Sequence, residues 1–163
     1  MGGLSVIVLM NILLFLYIFF ITIFVAIILY MVISYTFEGI SIICMSKNMG
    51  YKNTFTAWIP FYNKYLLGSI AGNKIMGIIS GILSFASIYL GIYFYIHKEL
   101  EIVLFIILII SSIITFILDT IISHKIYIRH INKYGDILTI FNILSFVLLR
   151  PIFLFMVRNK SRY

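Results

Sequence analysis

The sequence predicts an all-α fold, a polytopic bundle of transmembrane helices. Of its 163 residues, 63% are hydrophobic and only 10% are charged, whereas a soluble domain is usually closer to half apolar and a quarter charged. A water-soluble domain of this size would still expose about a third of its unfolded-chain surface, so it could not hide this much apolar surface. We therefore expect lipid to be the solvent. We expect one domain, residues 1–163, with four membrane segments and one short interfacial amphipathic helix.

The first predicted segment, about residues 4–36, lies in a charge-free run from Leu4 to Phe37. As one helix this run would be about 50 Å long, against a hydrocarbon core of about 30 Å. No glycine, proline or charge inside the run offers a turn between two spans. We expect a single spanning helix that tilts or protrudes. A cleaved signal peptide is not expected, since the run lacks a positive region before it and is too long.

Residues 38–64 have a mixed composition, with charged and amide residues among apolar ones, and we expect them to form a loop at the membrane surface. Ile40, Ile43 and Cys44 would share one helical face, which predicts a short interfacial helix that ends near Gly50. The aromatic stretch at 58–62 is typical of the belt that lies at headgroup depth.

The second predicted segment, about residues 66–96, is rich in small residues at helical spacing. In lipid, small residues let the backbone of a second helix approach closely, and packing then replaces the missing hydrophobic drive. We expect this segment to be the central helix of the bundle. Its predicted packing residues are Gly68, Gly72, Gly77, Gly81, Ser84 and Gly91.

The third and fourth predicted segments, about residues 102–123 and 137–157, each contain a polar irregularity. The third has a polar edge whose members recur at intervals of three and four residues. They are Ser112, Thr115, Asp119 and Ser123. The fourth is interrupted by Arg150-Pro151, because proline removes a backbone hydrogen bond and the charge needs a partner or a path to the interface. We expect the fourth segment either to span or to bend and re-enter.

The distribution of lysine and arginine predicts the orientation of the chain, because cytoplasmic loops carry an excess of both. With the N-terminus outside, the first and third loops, which include residues 38–64 and 124–136, are cytoplasmic, and the basic residues divide seven inside to four outside. If the fourth segment re-enters, the basic tail returns to the cytoplasm and the division becomes ten to one. We therefore expect the N-terminus outside.

Asp119 is the strongest candidate for a functional site, because a carboxylate on a spanning helix is costly unless it faces a bundle interior or a cavity. It could be an ion or proton site, or a buried partner of Arg150 or Lys74. Alternatively, it lies near the interface and pairs with Lys125. Arg150 could in turn pair with Asp119 or Glu38, contact a lipid phosphate through its guanidinium, or simply lie at the interface.

A second candidate site is formed by Trp58, Pro60, Asn63 and Tyr65. As a ligand site it would hold a lipid headgroup or a peptide. As structure it would be a turn in which the Asn63 amide caps the following helix, with Lys74 near that helix's first turns. We expect no metal site and no cofactor, because the single cysteine and the spacing of the three histidines do not form a ligand set.

Two motifs suggest a family. From Ala57 the chain reads Ala-Trp-Ile-Pro-x-x-Asn-x-Tyr-x-Leu-Gly-x-Ile-Ala-Gly, and from Pro151 it reads Pro-Ile-Phe-Leu-Phe-Met-Val-Arg-Asn-Lys. Both runs resemble those of a family of uncharacterised bacterial multi-spanning membrane proteins, and the resemblance covers about a quarter of the chain. It implies a bacterial inner-membrane protein without an assigned activity. Similar small proteins are loosely described as signal-peptidase-like, but no segment here is long enough to form the β-domain on which such enzymes hold their serine and lysine.

Three functions are compatible with these residues. The first is a non-enzymatic accessory or interaction subunit of the membrane. The second is a small channel or transporter, assembled as a homo-oligomer, with a polar path along the third segment. The third, a lipid-modifying enzyme, lacks a recognisable acid/base or metal constellation. The expected partners are the bilayer, its anionic headgroups, and a membrane protein or a second copy of the chain. Nucleic acid is not expected, since the basic residues behind the formal charge of +7 lie between apolar runs.

Overall fold

The computed structural model describes residues 2–52, 54–97, 101–131 and 133–159. Over these residues the protein is helical, which confirms the predicted all-α class. The α-helices are α1 (Gly2–Asn48), α2 (Pro60–Ile70), α3 (Lys74–His97), α4 (Ile102–His130), α5 (Gly135–Leu144) and α6 (Arg150–Val157). A 3₁₀ helix, Thr54–Trp58, precedes α2.

Three of the described helices are long and apolar enough to cross a membrane. They are Val6–Asn48, Lys74–His97 and Ile102–His130. Lipid offers no hydrogen bonds to the backbone, so an apolar chain in a bilayer adopts helices, in which every peptide group is bonded within the segment. The described chain therefore suits membrane insertion, with three long helices where the sequence predicted four spans.

The predicted fourth segment, residues 137–157, is two short helices instead of one span. α5 has 10 residues and α6 has 8, and each is shorter than the about 20 residues that cross a bilayer. Between them, Phe146 and Val147 have φ angles of 49° and 67°, a left-handed conformation that non-glycine residues rarely adopt. The Val147 amide donates to the Asn142 carbonyl at 2.8 Å and closes the end of α5.

The break lies at residues 145–149, just before Arg150-Pro151, the pair that was predicted to interrupt the segment. Pro151 lies in the first turn of α6, and a missing backbone N–H has no cost there because the first amides of a helix have no partner within it. The proline therefore starts a helix and does not interrupt one.

Two more predicted boundaries differ in the structure. The expected interfacial helix is not separate, because residues 38–48 continue α1; the helix ends just before Gly50, whose φ is 78°. The predicted segment 66–96 is divided between α2 and α3 by a turn at Gly72, whose φ is 83°. Both glycines adopt the left-handed conformation that ends helices cheaply only when no Cβ is present.

The contacts divide the chain into two units at Thr36. The first unit is the N-terminal part of α1, whose large aliphatic side chains between Val6 and Ile33 are all exposed. The second unit contains the rest of the described helices and has a core in which α1, α2, α4 and α6 contribute Met45, Leu67, Ile126 and Leu154.

Within the second unit, α5 runs back along α4 and α6 then returns. Thr139 of α5 lies beside His124 of α4, with 2.9 Å between Oγ1 and Nδ1, and just beyond the end of α5 the rings of Phe146 and Phe116 are 6.3 Å apart. On the way back, Phe153 of α6 contacts Tyr127 of α4, with ring centroids 6.2 Å apart. The α5–α6 pair is thus a helical hairpin packed against α4.

Candidate functional site

Five polar side chains meet inside the second unit, each from a different helix. We call them the charge cluster: Glu38 of α1, Lys64 of α2, Ser80 of α3, Asp119 of α4 and Arg150 of α6. With both carboxylates ionised and both bases protonated, the two positive and two negative charges cancel. The cluster is therefore neutral as a whole.

Asp119 lies at the centre of the charge cluster. Its Oδ1 accepts a hydrogen bond from the Ser80 hydroxyl at 2.6 Å, and its Oδ2 accepts from Arg150 Nη1 at 2.6 Å and from the Lys64 ammonium. A buried carboxylate is tolerated when its lone pairs are satisfied and its charge is paired. Both conditions are met here, because three donors from three helices surround one carboxylate.

Arg150 joins the two acids. Its Nη1 contacts Asp119 and its Nη2 contacts Glu38 Oε1 at 2.7 Å. Only 8% of Arg150, 7% of Asp119 and 8% of Glu38 is exposed, so these charges interact in a medium of low dielectric. The planar fork of a guanidinium suits this bridging geometry, which a lysine ammonium cannot reproduce.

Lys64 is the most accessible charged member of the cluster, with 17% of its side chain exposed. Burial, followed by the positive charge of Arg150, lowers the pKa of the Lys64 ammonium. The carboxylates of Asp119 and Glu38 act in the opposite direction. Lys64 is thus the cation of the cluster that is held least strongly in its charged form.

The glycines of α2 and α3 explain how Lys64 and Ser80 meet Asp119. A Cβ on Gly68 would lie 2.6 Å from the Gly77 Cα, and a Cβ on Gly77 would lie 2.5 Å from the Lys64 carbonyl oxygen. Neither position has room for a side chain, so α2 and α3 approach at backbone contact. This approach places Lys64 beside the α3 turn that carries Ser80, and from there both side chains reach α4.

The other predicted packing residues have different surroundings. A Cβ on Gly81 would lie 3.2 Å from the Phe61 ring, and one on Gly72 would lie 2.8 Å from the Arg129 guanidinium. Ser84 donates to the Ser80 carbonyl of its own helix. Gly91 has nothing within 4 Å of its Cβ position, so the close contacts of the predicted small residues extend from α2 into the first half of α3 and do not reach Gly91.

The predicted polar edge of the third segment is only partly assembled. Ser112 is exposed. The hydroxyls of Thr115 and Ser123 donate to carbonyls of their own helix, Ser111 at 2.8 Å and Asp119 at 2.7 Å. Threonine and serine often satisfy their hydroxyls in this way in apolar helices. Of this edge, only the Asp119 side chain enters the charge cluster.

The structure selects among the partners offered for the two charged candidates. Arg150 contacts both of its proposed acids, Asp119 and Glu38. Lys74, proposed as a partner of Asp119, is exposed in the first turn of α3, and Lys64 takes that place. The sequence did not predict Lys64 or Ser80 as site residues. Lys64 lies within the Ala57–Gly72 motif, and Ser80 lies in the sequence between the close-packed Gly77 and Gly81. Both are therefore next to residues that the sequence did mark as candidates.

The second candidate site, Trp58, Pro60, Asn63 and Tyr65, is built into the packing of the second unit. A Cβ on Gly39 would lie 2.9 Å from Trp58 Cζ3, so the indole packs directly on the α1 backbone. Asn63 does not cap the helix as expected: the N-cap is Ile59, and the buried Asn63 amide donates to the Ala57 carbonyl at 3.3 Å.

The remaining members of that second site have structural surroundings as well. Pro60 is the first residue of α2, where its fixed φ suits a helix start. Tyr65 packs against the hydrophobic core. Each of the four residues therefore helps to set the path of the chain from the 3₁₀ helix into α2.

Among the described residues, no group of three or more His, Cys, Asp or Glu side chains could hold a metal ion. The scan against protein-family models, the search of curated proteins and the search of solved structures find no match for the chain.

Proposed function

We propose that this protein is a non-enzymatic accessory or interaction subunit of a bacterial inner membrane, in which the charge cluster holds the helices of the second unit together. The observation that carries this proposal is the closure of the cluster. Asp119 receives three donors and Arg150 spans two acids, so both carboxylates are paired with cations. Among the cluster's described polar atoms, Arg150 Nε is buried without a hydrogen-bond partner.

A buried network of paired charges is better suited to holding helices together than to catalysing a reaction. Removing one member of a buried ion pair leaves an uncompensated charge and costs about 3–5 kcal/mol. The five members come from five helices, so each must be in place before the others are satisfied. The arrangement therefore stabilises one packing of the second unit against alternatives.

The proposed topology has the N-terminus outside and residues 38–64 and 124–136 in the cytoplasm. The fourth segment would be re-entrant, since α5 and α6 form a hairpin on α4. Cys44 supports a cytoplasmic end for α6, because its Sγ lies 3.3 Å from Asn159 Oδ1. With that path, the basic tail joins the basic loops, in keeping with the excess of lysine and arginine expected on the cytoplasmic side.

Partner capture tests the proposed function. Photo-reactive side chains at exposed positions on different faces of α1, such as Leu13 and Val25, would be introduced into the full chain and cross-linked in cells, and the products would be identified. An accessory subunit gives one or a few stoichiometric adducts, either with another membrane protein or with a second copy. Labelling of lipid alone at every position would overturn the proposal.

A second candidate function, a small ion or proton transporter, is favoured by one observation: Asp119 is an ionisable residue on an apolar, span-length helix, and such residues often mark ion pathways. The test is ion flux in reconstituted vesicles. A transporter would lose flux in Asp119→Asn and keep it in Ile117→Ala, whose side chain is exposed on the opposite face of α4. Flux no greater than that of empty vesicles would exclude transport.

A further inference from the structure

The first unit carries a polar pattern that the charge cluster does not use. Asn11, Thr22 and Thr36 are separated by 11 and 14 residues, so at about 100° per residue they lie within about 40° of one another around α1. Ser34 lies on the other side of the helix. One narrow stripe of this apolar helix therefore carries an amide and two threonine hydroxyls.

The residues between these three follow the same stripe. Steps of four and three residues from Asn11 lead to Phe15, Ile18, Thr22, Val25, Leu29, Val32 and Thr36, a stripe that we call the α1 seam. Phe15, Ile18, Val25, Leu29 and Val32 are each between 47% and 69% exposed. Because α1 is apolar on every face, the polar residues distinguish this stripe from the others, and its repeat of 3.5 residues is the spacing at which two helices can pair side by side.

The polar residues of the α1 seam differ in which hydrogen-bonding groups remain free to bind another chain. The hydroxyls of Thr22 and Thr36 donate to the carbonyls of Ile18 and Val32 at 2.9 and 2.8 Å, so their donors are used within the helix. Asn11 Nδ2 donates to the Ile7 carbonyl at 3.0 Å. A carboxamide has two N–H groups and a carbonyl oxygen, so this bond leaves Asn11 one donor and one acceptor for another chain.

We infer that the α1 seam pairs in parallel with the α1 seam of a second copy of this chain, with Asn11 opposite Asn11. This deepens the proposed function, on which it rests, by naming the partner. Two copies inserted the same way are parallel, and a two-fold axis places identical residues opposite each other. Each Asn11 amide then donates to the other's carbonyl, and an intramembrane asparagine contributes to helix association in this way.

The length of α1 and its lack of charge also favour a second copy of the chain as the partner. The charge-free run of α1, about 50 Å long, exceeds the about 30 Å of the hydrocarbon core, and such a mismatch in length contributes to some associations between helices. A partner that covers this excess must be equally long and free of charge over the same distance. The α1 helix of a second copy has both properties by identity.

Cysteine cross-linking of the full chain tests this pairing. In a Cys44→Ser background, Val25→Cys places a thiol on the α1 seam and Ile27→Cys places one on the opposite face, as a matched control two residues away. After reconstitution at a high lipid-to-protein ratio and mild oxidation, Val25→Cys should form a disulfide-linked dimer and Ile27→Cys should not. Equal dimer yields at the two positions would overturn the seam.

Asn11 supplies the second measurement. Dimer dissociation, followed by energy transfer between labelled copies as lipid is added, should become about tenfold easier in Asn11→Leu, since two interhelical hydrogen bonds are lost. Adding Leu13→Asn to Asn11→Leu moves the amide to the opposite face and should not restore the affinity. An unchanged dissociation constant in Asn11→Leu would contradict the proposed role of the amide.

The outcomes separate this inference from the proposed function. Val25 cross-links to a different protein, with none to a second copy, would reject self-pairing and leave an interaction subunit standing. Absence of both kinds of adduct would reject the two proposals together.

Discussion

Arg150 and Glu38 are 112 residues apart in the chain, and an ion pair of 2.7 Å joins them. The pair connects the last helix of the described chain to the part of α1 that follows Thr36. Because the same guanidinium contacts Asp119 at 2.6 Å, three helices are held by one side chain. The charge cluster therefore ties α6 to both α1 and α4.

Replacing Arg150 with methionine should lower the free energy of unfolding by about 3–5 kcal/mol, because Glu38 loses the cation with which it pairs and Asp119 is left with the Lys64 and Ser80 contacts. Denaturant titration in mixed micelles would measure the change. A smaller loss is expected for Arg150→Lys, which keeps the charge but cannot bridge two acids.

The control for Arg150→Met is its combination with Glu38→Gln. If the cost arises from an unpaired Glu38 carboxylate, the double variant should lose less stability than the sum of the two single variants. Strict additivity would show that Arg150 and Glu38 do not interact in the folded protein.

Composition alone was enough to predict the class and the long helices. The charge-free run before Phe37 and the apolar run around Asp119 could only be helices in lipid, and both are helices. The division of the last segment was harder to predict. It depends on left-handed φ angles at Phe146 and Val147, and neither phenylalanine nor valine is typical of that conformation. Pro151, the residue that suggested a break, lies in the first turn of α6, where proline is compatible with a helix.

The charge cluster was predictable only in part, for a physical reason. An intramembrane charge must find a partner, so Asp119, Arg150 and Glu38 could be connected by charge alone. The choice of Lys64 over Lys74 depends on the distance between α2 and α3, which the contact of Gly68 with Gly77 sets. Sequence spacing shows that such a contact is available, but it does not show which lysine the contact brings to Asp119.

Gly68→Ala should destabilise the protein by about 1–3 kcal/mol, because the added methyl group would lie 2.6 Å from the Gly77 backbone and must push α2 from α3. Gly91→Ala is the matched control on the same pair of helices. Its Cβ meets nothing within 4 Å, so it should be neutral or stabilise by about 0.5–1 kcal/mol through helix propensity. Equal effects in thermal or denaturant unfolding would contradict the close approach.

Gly39→Ala should cost about 1–2 kcal/mol, since the new Cβ would lie 2.9 Å from Trp58 Cζ3. The indole is partly exposed and can move, which keeps the cost moderate. In a Trp58→Phe background the smaller ring leaves room, and the same substitution should cost less. Denaturant unfolding of the four proteins in this cycle measures the coupling, and a cost unaffected by Trp58→Phe would show that the indole does not set the spacing.

Lys64 should make stability depend on pH in a defined direction. Burial and Arg150 lower its folded-state pKa below the ordinary value of 10.5, so between these two values the unfolded chain binds a proton that the folded chain does not. Stability then rises with pH across this window and is lost as pH falls through the folded-state pKa. Subtracting the unfolding free energy of Lys64→Met from that of the wild type, at each pH from neutral to 10.5, removes the contributions of other groups. The difference should increase with pH, and a difference that falls or stays constant would show that Asp119 and Glu38 outweigh burial at this lysine.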